Sequence, residues 1–284
     1  MLTSVDVKGN NPCAVCGEHR PEKFRIWFDS YLKLYRCATC GFVAQYPGPG
    51  GDLVMTDYSH AYTLGFLEAG HEFMYPQRRR VLQDIVNRIK THTPKGDLLD
   101  IGCGDGHLLY LAHKAGLSPH GVEDCDTLAK FAAQKANANV ICGRYHRDMF
   151  PEASFDAISL VQVLEHIPTP AETLKTVLYH LRPGGTLLVE VPSITSPHFL
   201  AYRMTGVKWF ARPPGGVIPS HCGYYAPKVL QGLAEVCGFH TKSVVTGRWQ
   251  YKYSGAIRTI GAILDPVFNA LGVGGILYIG QKPK

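Results

Sequence analysis

Residues Leu98-Leu99-Asp100-Ile101-Gly102-Cys103-Gly104-Asp105-Gly106 decide the fold: an apolar run breaks into a turn with glycines at alternate positions and then enters a helical pattern. This is the strand, loop and helix of a nucleotide-binding unit. Side chains at Gly102, Gly104 and Gly106 would keep a ligand off the backbone, and the N–H groups of the following helix point at it. Seventeen residues beyond Gly106, a second apolar strand with Gly121-Val122 delivers Glu123 to the place where ribose hydroxyls would sit. The spacing also selects the ligand. A dinucleotide fingerprint is Gly-x-Gly-x-x-Gly, with room for a pyrophosphate, whereas this loop is Gly-x-Gly-x-Gly with Asp100 before it and Asp105 inside it. Two carboxylates repel phosphates and suit a ligand with an ammonium or sulfonium group.

The loop, followed in order by Val163-Leu164-Glu165-His166-Ile167 and Leu181-Arg182-Pro183-Gly184-Gly185, resembles the class I S-adenosylmethionine-dependent methyltransferases from about Leu98 to Ser193. The resemblance implies an α/β fold: a doubly wound, mostly parallel seven-stranded sheet, with S-adenosylmethionine bound across its carboxyl edge. Asp100, Gly102 and Gly104 would frame the amino-acid end of that cofactor. Glu123 would accept from both ribose hydroxyls, because a carboxylate has two oxygens and no donor. Asp148, or its neighbours Arg147 and Met149, would reach the adenine, by similarity to the acidic position that precedes Phe-Pro-x-x-Ser-Phe-Asp in the family. Gln162 would lie beneath the methyl-bearing sulfur.

Composition narrows the classes further. The 284 residues hold one large domain or one plus a small appendage. Lys and Arg number 29 against 23 Asp and Glu, a formal charge of +6, and the one dense basic run is Arg78-Arg79-Arg80. That balance disfavours a nucleic-acid partner. Met1 to Asn11 is polar and lacks the apolar segment of a signal peptide, and an odd total of nine cysteines suits a reducing, cytoplasmic compartment. The most apolar stretch, Ala256 to Ile279, is interrupted by Arg258, Asp265 and Pro266, which argues against a membrane-spanning helix.

Four cysteines form two knuckles, Cys13-x-x-Cys16-Gly17 and Cys37-x-x-Cys40-Gly41, around strand-like residues Phe24 to Phe28 and Leu32 to Tyr35. Four thiolates make a closed tetrahedral site suited to a structural Zn²⁺. Iron could occupy the same ligands; availability and the lack of a redox motif favour zinc. A head of about fifty residues has too little core to fold alone, so the metal supplies stability. The breaker-rich Tyr46-Pro47-Gly48-Pro49-Gly50-Gly51 divides a zinc ribbon at 1–47 from a catalytic domain at 48–284.

Within the larger part, apolar spacing predicts a helix over Glu68 to Thr91 that Pro76 interrupts or restarts, covering the glycine loop from outside. Strands are expected at Leu98 to Ile101, Pro119 to Glu123, Ala138 to Cys142, Phe155 to Val161 and Thr186 to Val191. Helices fall between them, at Gly106 to Ala115, Asp126 to Asn137 and Pro170 to Leu181. A further helix, Pro227 to Cys237, precedes strands at Phe239 to Thr246 and Gly275 to Gln281, which in the resembled fold form a hairpin with one strand antiparallel. The connection Pro192 to Tyr225 is rich in Pro, Gly and aromatic residues and follows the fifth strand's carboxyl end, so it is expected to be a lid or substrate-binding insertion.

Methyl transfer from a sulfonium is an in-line displacement, so a nucleophile has to be aligned and its proton removed. Histidine suits that work near neutral pH. His166 follows the fourth expected strand. His221, in Pro219-Ser220-His221-Cys222-Gly223-Tyr224-Tyr225, closes the lid and is the favoured base, with His166 as the other candidate. Arg78, Arg79 and Arg80 form either a solvated helix face or a hold on the cofactor carboxylate. The Ile257, Ile260, Leu264, Val267 and Leu271 stripe is either core or a platform for a lipid-like substrate or membrane surface.

A zinc-ribbon head on such a domain resembles enzymes of bacterial polysaccharide and secondary-metabolite pathways. The expected acceptor is therefore a small molecule, sugar or glycan intermediate, with O-methylation as the commonest outcome. The main alternative is an RNA methyltransferase whose ribbon grips the nucleic acid. Lys8, Arg20, Lys23, Arg25, Lys33 and Arg36 make no dense patch for that purpose. A non-catalytic cofactor-binding module is the third class.

Overall fold

Neighbouring residues along the central strands enter two separate cores, one on each face of a sheet, as the two-residue period of a strand requires. Leu98 packs on one face and Leu99 on the other, and the same alternation holds for Ala157 and Ile158, Leu188 and Leu187, and Leu277 and Tyr278. Burial on both faces explains why these strands are near-continuous apolar runs. The computed structural model describes residues 12–18, 21–23, 33–46, 71–196, 221–247, 255–270 and 275–284.

The strands of the head are β1 (Pro21–Lys23), β2 (Lys33–Cys37) and β3 (Val43–Tyr46). Helix α1 (His71–His92) leads into β4 (Asp97–Ile101), α2 (His107–Lys114), β5 (Ser118–Glu123), α3 (Asp126–Ala136) and β6 (Asn139–Cys142). Then come β7 (Phe155–Val161), α4 (Pro170–His180), β8 (Leu181–Val191) and β9 (Gly223–Tyr224). The chain closes with α5 (Pro227–Val236), β10 (His240–Val245), α6 (Gly255–Ala270) and β11 (Ile276–Gln281).

Seven strands form one sheet in the order β10-β11-β8-β7-β4-β5-β6. β8, β7, β4, β5 and β6 pair in parallel, and β11 is antiparallel to both its neighbours. This is the doubly wound sheet with a closing hairpin that the sequence implies. Leu82, Ile85, Val86 and Ile89 of α1 and Leu108, Leu111 and Ala112 of α2 cover one face. Leu174 and Val177 of α4, with Leu230, Leu233 and Ala234 of α5, cover the other. Each such buried Leu, Ile or Val side chain contributes roughly 1.5–3 kcal/mol.

Two local expectations change. Helix α1 continues across Pro76, and Leu82, Ile85, Val86 and Ile89 enter the core. β8 starts at Leu181 rather than at Thr186, so Arg182-Pro183-Gly184-Gly185 already belongs to the strand. It is drawn into the sheet by pairing with Phe155 and by hydrogen bonds from Gly184 N–H to Lys282 O and from Lys282 N–H to Gly185 O. Arg182 there locks the strands' amino ends together: its guanidinium donates to Asp97 at 3.0 and 3.1 Å and also to Asp156. The strand-like stretch at Phe24 to Phe28 and most of the Tyr46–Gly51 linker lie outside the described residues.

The head is spatially continuous with the rest. β1, β2 and β3 form a second sheet whose fourth strand is β9, with Val43 opposite Tyr224 and Ala44 opposite Gly223. Phe42 packs on Tyr225 with ring centroids 5.2 Å apart, and Val15, Cys37 and Phe42 belong to the same apolar cluster as α4 and α5. On α6 the side chains of Ile260, Ile263, Leu264 and Val267 are exposed, so this part of the stripe is not core. Ile257 and Leu271 fall outside the described side chains. Among the described residues, no helix is long and apolar enough to cross a membrane.

Candidate active site

The parallel strands all end on one edge, and the expected cofactor residues gather there. β4 ends in Asp100-Ile101, and the chain then turns through Gly102 and Gly104, both with positive φ, of 67° and 54°. The two glycines differ in what surrounds them. A Cβ on Gly102 would lie 2.6 Å from a methyl of Val163, whereas a Cβ on Gly104 would meet nothing within 4 Å. Gly102 therefore serves the packing of the loop against the end of β7, and Gly104 leaves an open concave backbone. That open cradle beside buried carboxylates fits the amino-acid end and ribose of S-adenosylmethionine.

Asp100 is 3% exposed and accepts a 2.7 Å hydrogen bond from the Ser159 hydroxyl on β7. Burial pushes its carboxyl up to about 7, against the pull of Ser159 and of the Arg78 charge, while Glu123 and Asp105 push it further the same way. Glu123, at the end of β5, clasps the loop: Gly104 N–H donates to one oxygen at 2.8 Å and Cys125 N–H to the other at 3.1 Å. Burial raises its proton affinity and those two N–H groups oppose the shift. Each carboxylate oxygen keeps a second lone pair for a ligand hydroxyl.

Asp105 has another task than the sequence suggests. His107 Nδ1 lies 2.5 Å from its carboxylate, and Lys135 Nζ lies 2.5 Å from His107 Nε2. Burial works to raise Asp105, but His107 and Arg78 prevail and hold it below the usual carboxylate range. It is thus engaged within the protein, and Asp100 and Glu123 remain as the carboxylates at the strand ends beside the loop. Arg78 acts on Asp100 and Asp105 alike, which puts its charge beside the glycine loop.

Asp148 stands exposed on a single 3₁₀ turn, Arg147–Met149, beyond the end of β6. Sequence reasoning missed what fixes that turn. His180, at the end of α4, donates from Nε2 to Arg147 O at 2.9 Å, its Nδ1 lies 2.6 Å from the Tyr145 hydroxyl, and the Arg147 guanidinium stacks 3.6 Å above the Tyr179 ring. Gln162, just past β7, is exposed and has a left-handed backbone, φ 59°, held by its N–H donating to Glu190 O at 2.8 Å. Such a conformation is uncommon outside glycine and costs on the order of 1 kcal/mol.

The structure brings the two candidate histidines together. His166 closes the 3₁₀ turn Leu164–His166 after β7, and His221 enters β9. Their rings are 4.6 Å apart and nearly perpendicular, at 85°. Cys222 Sγ donates to His166 O at 3.3 Å and Tyr225 Oη to Leu164 O at 3.4 Å, which ties the segment after the lid to the turn. His221 is 4% exposed, and burial, with a further push from His166, lowers its proton affinity to a pKa of about 3. Residues 197–220 of the expected lid lie outside the described residues.

In the head, the four Sγ atoms of Cys13, Cys16, Cys37 and Cys40 lie within 4.8 Å of one another. The Cys13–Cys40 and Cys16–Cys37 Sγ distances are 3.6 and 3.5 Å. Each knuckle closes in the same way, with Gly17 N–H donating to Cys13 O and Gly41 N–H to Cys37 O. This donor set fits a zinc ribbon.

The chain is 33% identical over 141 residues to a tRNA U34 carboxymethyltransferase of Desulfotalea psychrophila, a match that covers 45% of this chain and 42% of that protein. It is 29% identical over 125 residues to a ubiquinone biosynthesis O-methyltransferase of Xanthomonas campestris pv. campestris, covering 42% of this chain and 52% of the relative. The chain therefore spans about half the length of these curated relatives. A crystal structure of a SAM-dependent methyltransferase from Thermotoga maritima superposes with a TM-score of 0.54 at 18% identity, covering 79% of this chain and 97% of that one. Another, from Archaeoglobus fulgidus, superposes with a TM-score of 0.53 at 18% identity, covering 75% and 100%. Residues 74–244 match the family model described as a methyltransferase domain, and the chain belongs to that family.

Proposed function

We propose that this protein transfers the methyl group of S-adenosylmethionine to a hydroxyl of a small-molecule, sugar or glycan acceptor, and that its head carries one structural Zn²⁺ on Cys13, Cys16, Cys37 and Cys40. The cofactor supplies an activated methyl on a sulfonium. Asp100 pairs with its ammonium, Gly102 and Gly104 shape the cradle, Glu123 accepts from the ribose hydroxyls, Asp148 faces the adenine, and Gln162 lies under the sulfur. The acceptor approaches from the lid side. His166 and His221 stand there beside each other, and this imidazole pair, with His221 held neutral by burial, activates the acceptor's hydroxyl.

The observation that carries the reading is that pair, 4.6 Å between rings, on a turn that adjoins the glycine loop through Val163 and Gly102. The experiment is a rate assay with an identified acceptor. Substitution His221→Ala, or His166→Ala, should lower methyl transfer by at least about tenfold while cofactor affinity stays within about twofold, since the imidazoles act on the acceptor. Full rates in both folded variants would remove the pair from the reaction. The likeness to a tRNA-modifying enzyme favours RNA as the second reading. Partition of a labelled methyl group between RNA and small-molecule fractions decides between them.

A further inference from the structure

The imidazole pair has a third neighbour. Glu165 precedes His166 on the same 3₁₀ turn, and one ligand atom each from Glu165, His166 and His221 lies within 4.8 Å of the other two. Glu165 is 1% exposed and His221 is 4% exposed, with His166 partly open to solvent. One carboxylate oxygen and two imidazole nitrogens this close together are the donor set by which proteins bind first-row divalent cations while leaving coordination positions free. The convergence is built by the fold. Glu165 and His166 arrive at the end of β7, His221 arrives more than fifty residues later, and the Cys222–His166 and Tyr225–Leu164 hydrogen bonds hold the two segments in register. β9 is fixed in turn by its pairing with β3 of the head.

We propose that Glu165, His166 and His221 form a second metal site, a divalent-cation site of the Mn²⁺, Fe²⁺, Co²⁺ or Zn²⁺ class, whose open positions take the acceptor's hydroxyl oxygen. The proposal rests on the acceptor reaching the imidazole pair and gives the pair its chemical role: the nitrogens donate to the cation, and the cation acidifies the hydroxyl. The acceptor's O–H bond breaks and its proton passes to water. An oxygen lone pair forms the new O–CH₃ bond, and the S–CH₃ bond breaks with its electrons left on sulfur, so charge and atoms balance without any redox partner. Cation-assisted ionisation is an established way to generate an oxygen nucleophile at neutral pH. The site differs in kind from the four thiolates of the head, which leave no open position.

The test uses the full chain, stripped with a chelator and titrated with Co²⁺ while the visible spectrum is recorded. Thiolate coordination in the head gives an intense sulfur-to-metal charge-transfer band, and the Glu-His-His site adds an equivalent without one. The native chain should take up a second equivalent beyond the thiolate site. His166→Gln and His221→Gln should each lose that equivalent and keep the thiolate band, which also reports that the variant is folded; Glu165→Gln serves as the conservative third. Saturation at the thiolate equivalent alone in the native chain overturns the proposal, as does retention of the second equivalent in the His166→Gln, His221→Gln double variant. If only the thiolate equivalent binds and His166→Gln still loses methyl transfer, the cation is refuted and the imidazoles act as bases. If the second equivalent binds and both variants transfer methyl at the native rate, the cation site stands and the placement of the acceptor falls.

Discussion

Lowering the pH from 8 to 5 should weaken cofactor binding in a way that traces to Asp100. Its carboxyl is buried against Ser159 and pushed up to about 7, so in the free protein it is protonated over much of the mildly acidic range. A neutral carboxyl cannot pair with the cofactor's ammonium, and binding must first expel the proton. With an apparent value near 7 in the free protein and an ordinary carboxylate value in the complex, the dissociation constant should rise roughly tenfold by pH 6 and roughly 100-fold by pH 5. Calorimetry across pH measures this, and repeating it at pH 6 in buffers of different ionisation enthalpy counts the released proton. The variant Asp100→Asn should bind weakly at every pH and show a flat profile. The same burial has a stability signature. An acid whose folded value is raised contributes its stability below the unfolded value, about 4, and loses it as pH rises through the folded value. Asp100→Asn should therefore melt with the native chain near pH 4 and above it at pH 8, with a ceiling on the order of 4 kcal/mol. A native affinity that stays constant from pH 8 to 5, or an equally steep profile in Asp100→Asn, would mean that Asp100 does not carry the pH dependence.

The other predictions concern the ribose clasp and the head. Glu123→Ala should weaken S-adenosylmethionine and its demethylated product together by at least about tenfold, because a charged acceptor of two hydroxyl protons is removed from both complexes; unchanged affinity in a folded variant would take Glu123 out of the cofactor site. Elemental analysis of the native chain should find zinc in the head, lost in Cys13→Ser or Cys40→Ser. Because Val15, Cys37 and Phe42 share the main apolar cluster and β3 pairs with β9, those variants should also melt lower and transfer methyl more slowly. An unchanged melting temperature after the metal is lost would contradict that coupling.

The sheet was legible because its signals are local. Apolar runs marked β4, β5 and β7 within a residue of their observed bounds, and Pro227 opened α5 where expected. What escaped is non-local. β9 is two residues long and exists through pairing with Val43 and Ala44, far earlier in the chain, so no window of sequence contains it. The meeting of His166 and His221 is equally non-local, held by the Cys222–His166 and Tyr225–Leu164 hydrogen bonds, so position in the chain named both histidines without showing that they touch. Asp105 could have been read correctly, since His107 stands two residues on and a carboxylate with so near a partner is poorly placed for a ligand. The start of β8 was hidden by Pro183-Gly184-Gly185, whose composition signals a turn while its backbone pairs with the carboxyl-terminal residues.

Methyl transfer to a small hydroxylated acceptor is measured by incubating the full chain with methyl-labelled S-adenosylmethionine and cell extract, then separating small molecules, lipids, glycans and RNA. Label should appear in the small-molecule or glycan fraction, with one demethylated cofactor formed per methyl transferred and the label lost with His221→Ala. Label in RNA, or cofactor bound without any turnover, would contradict it.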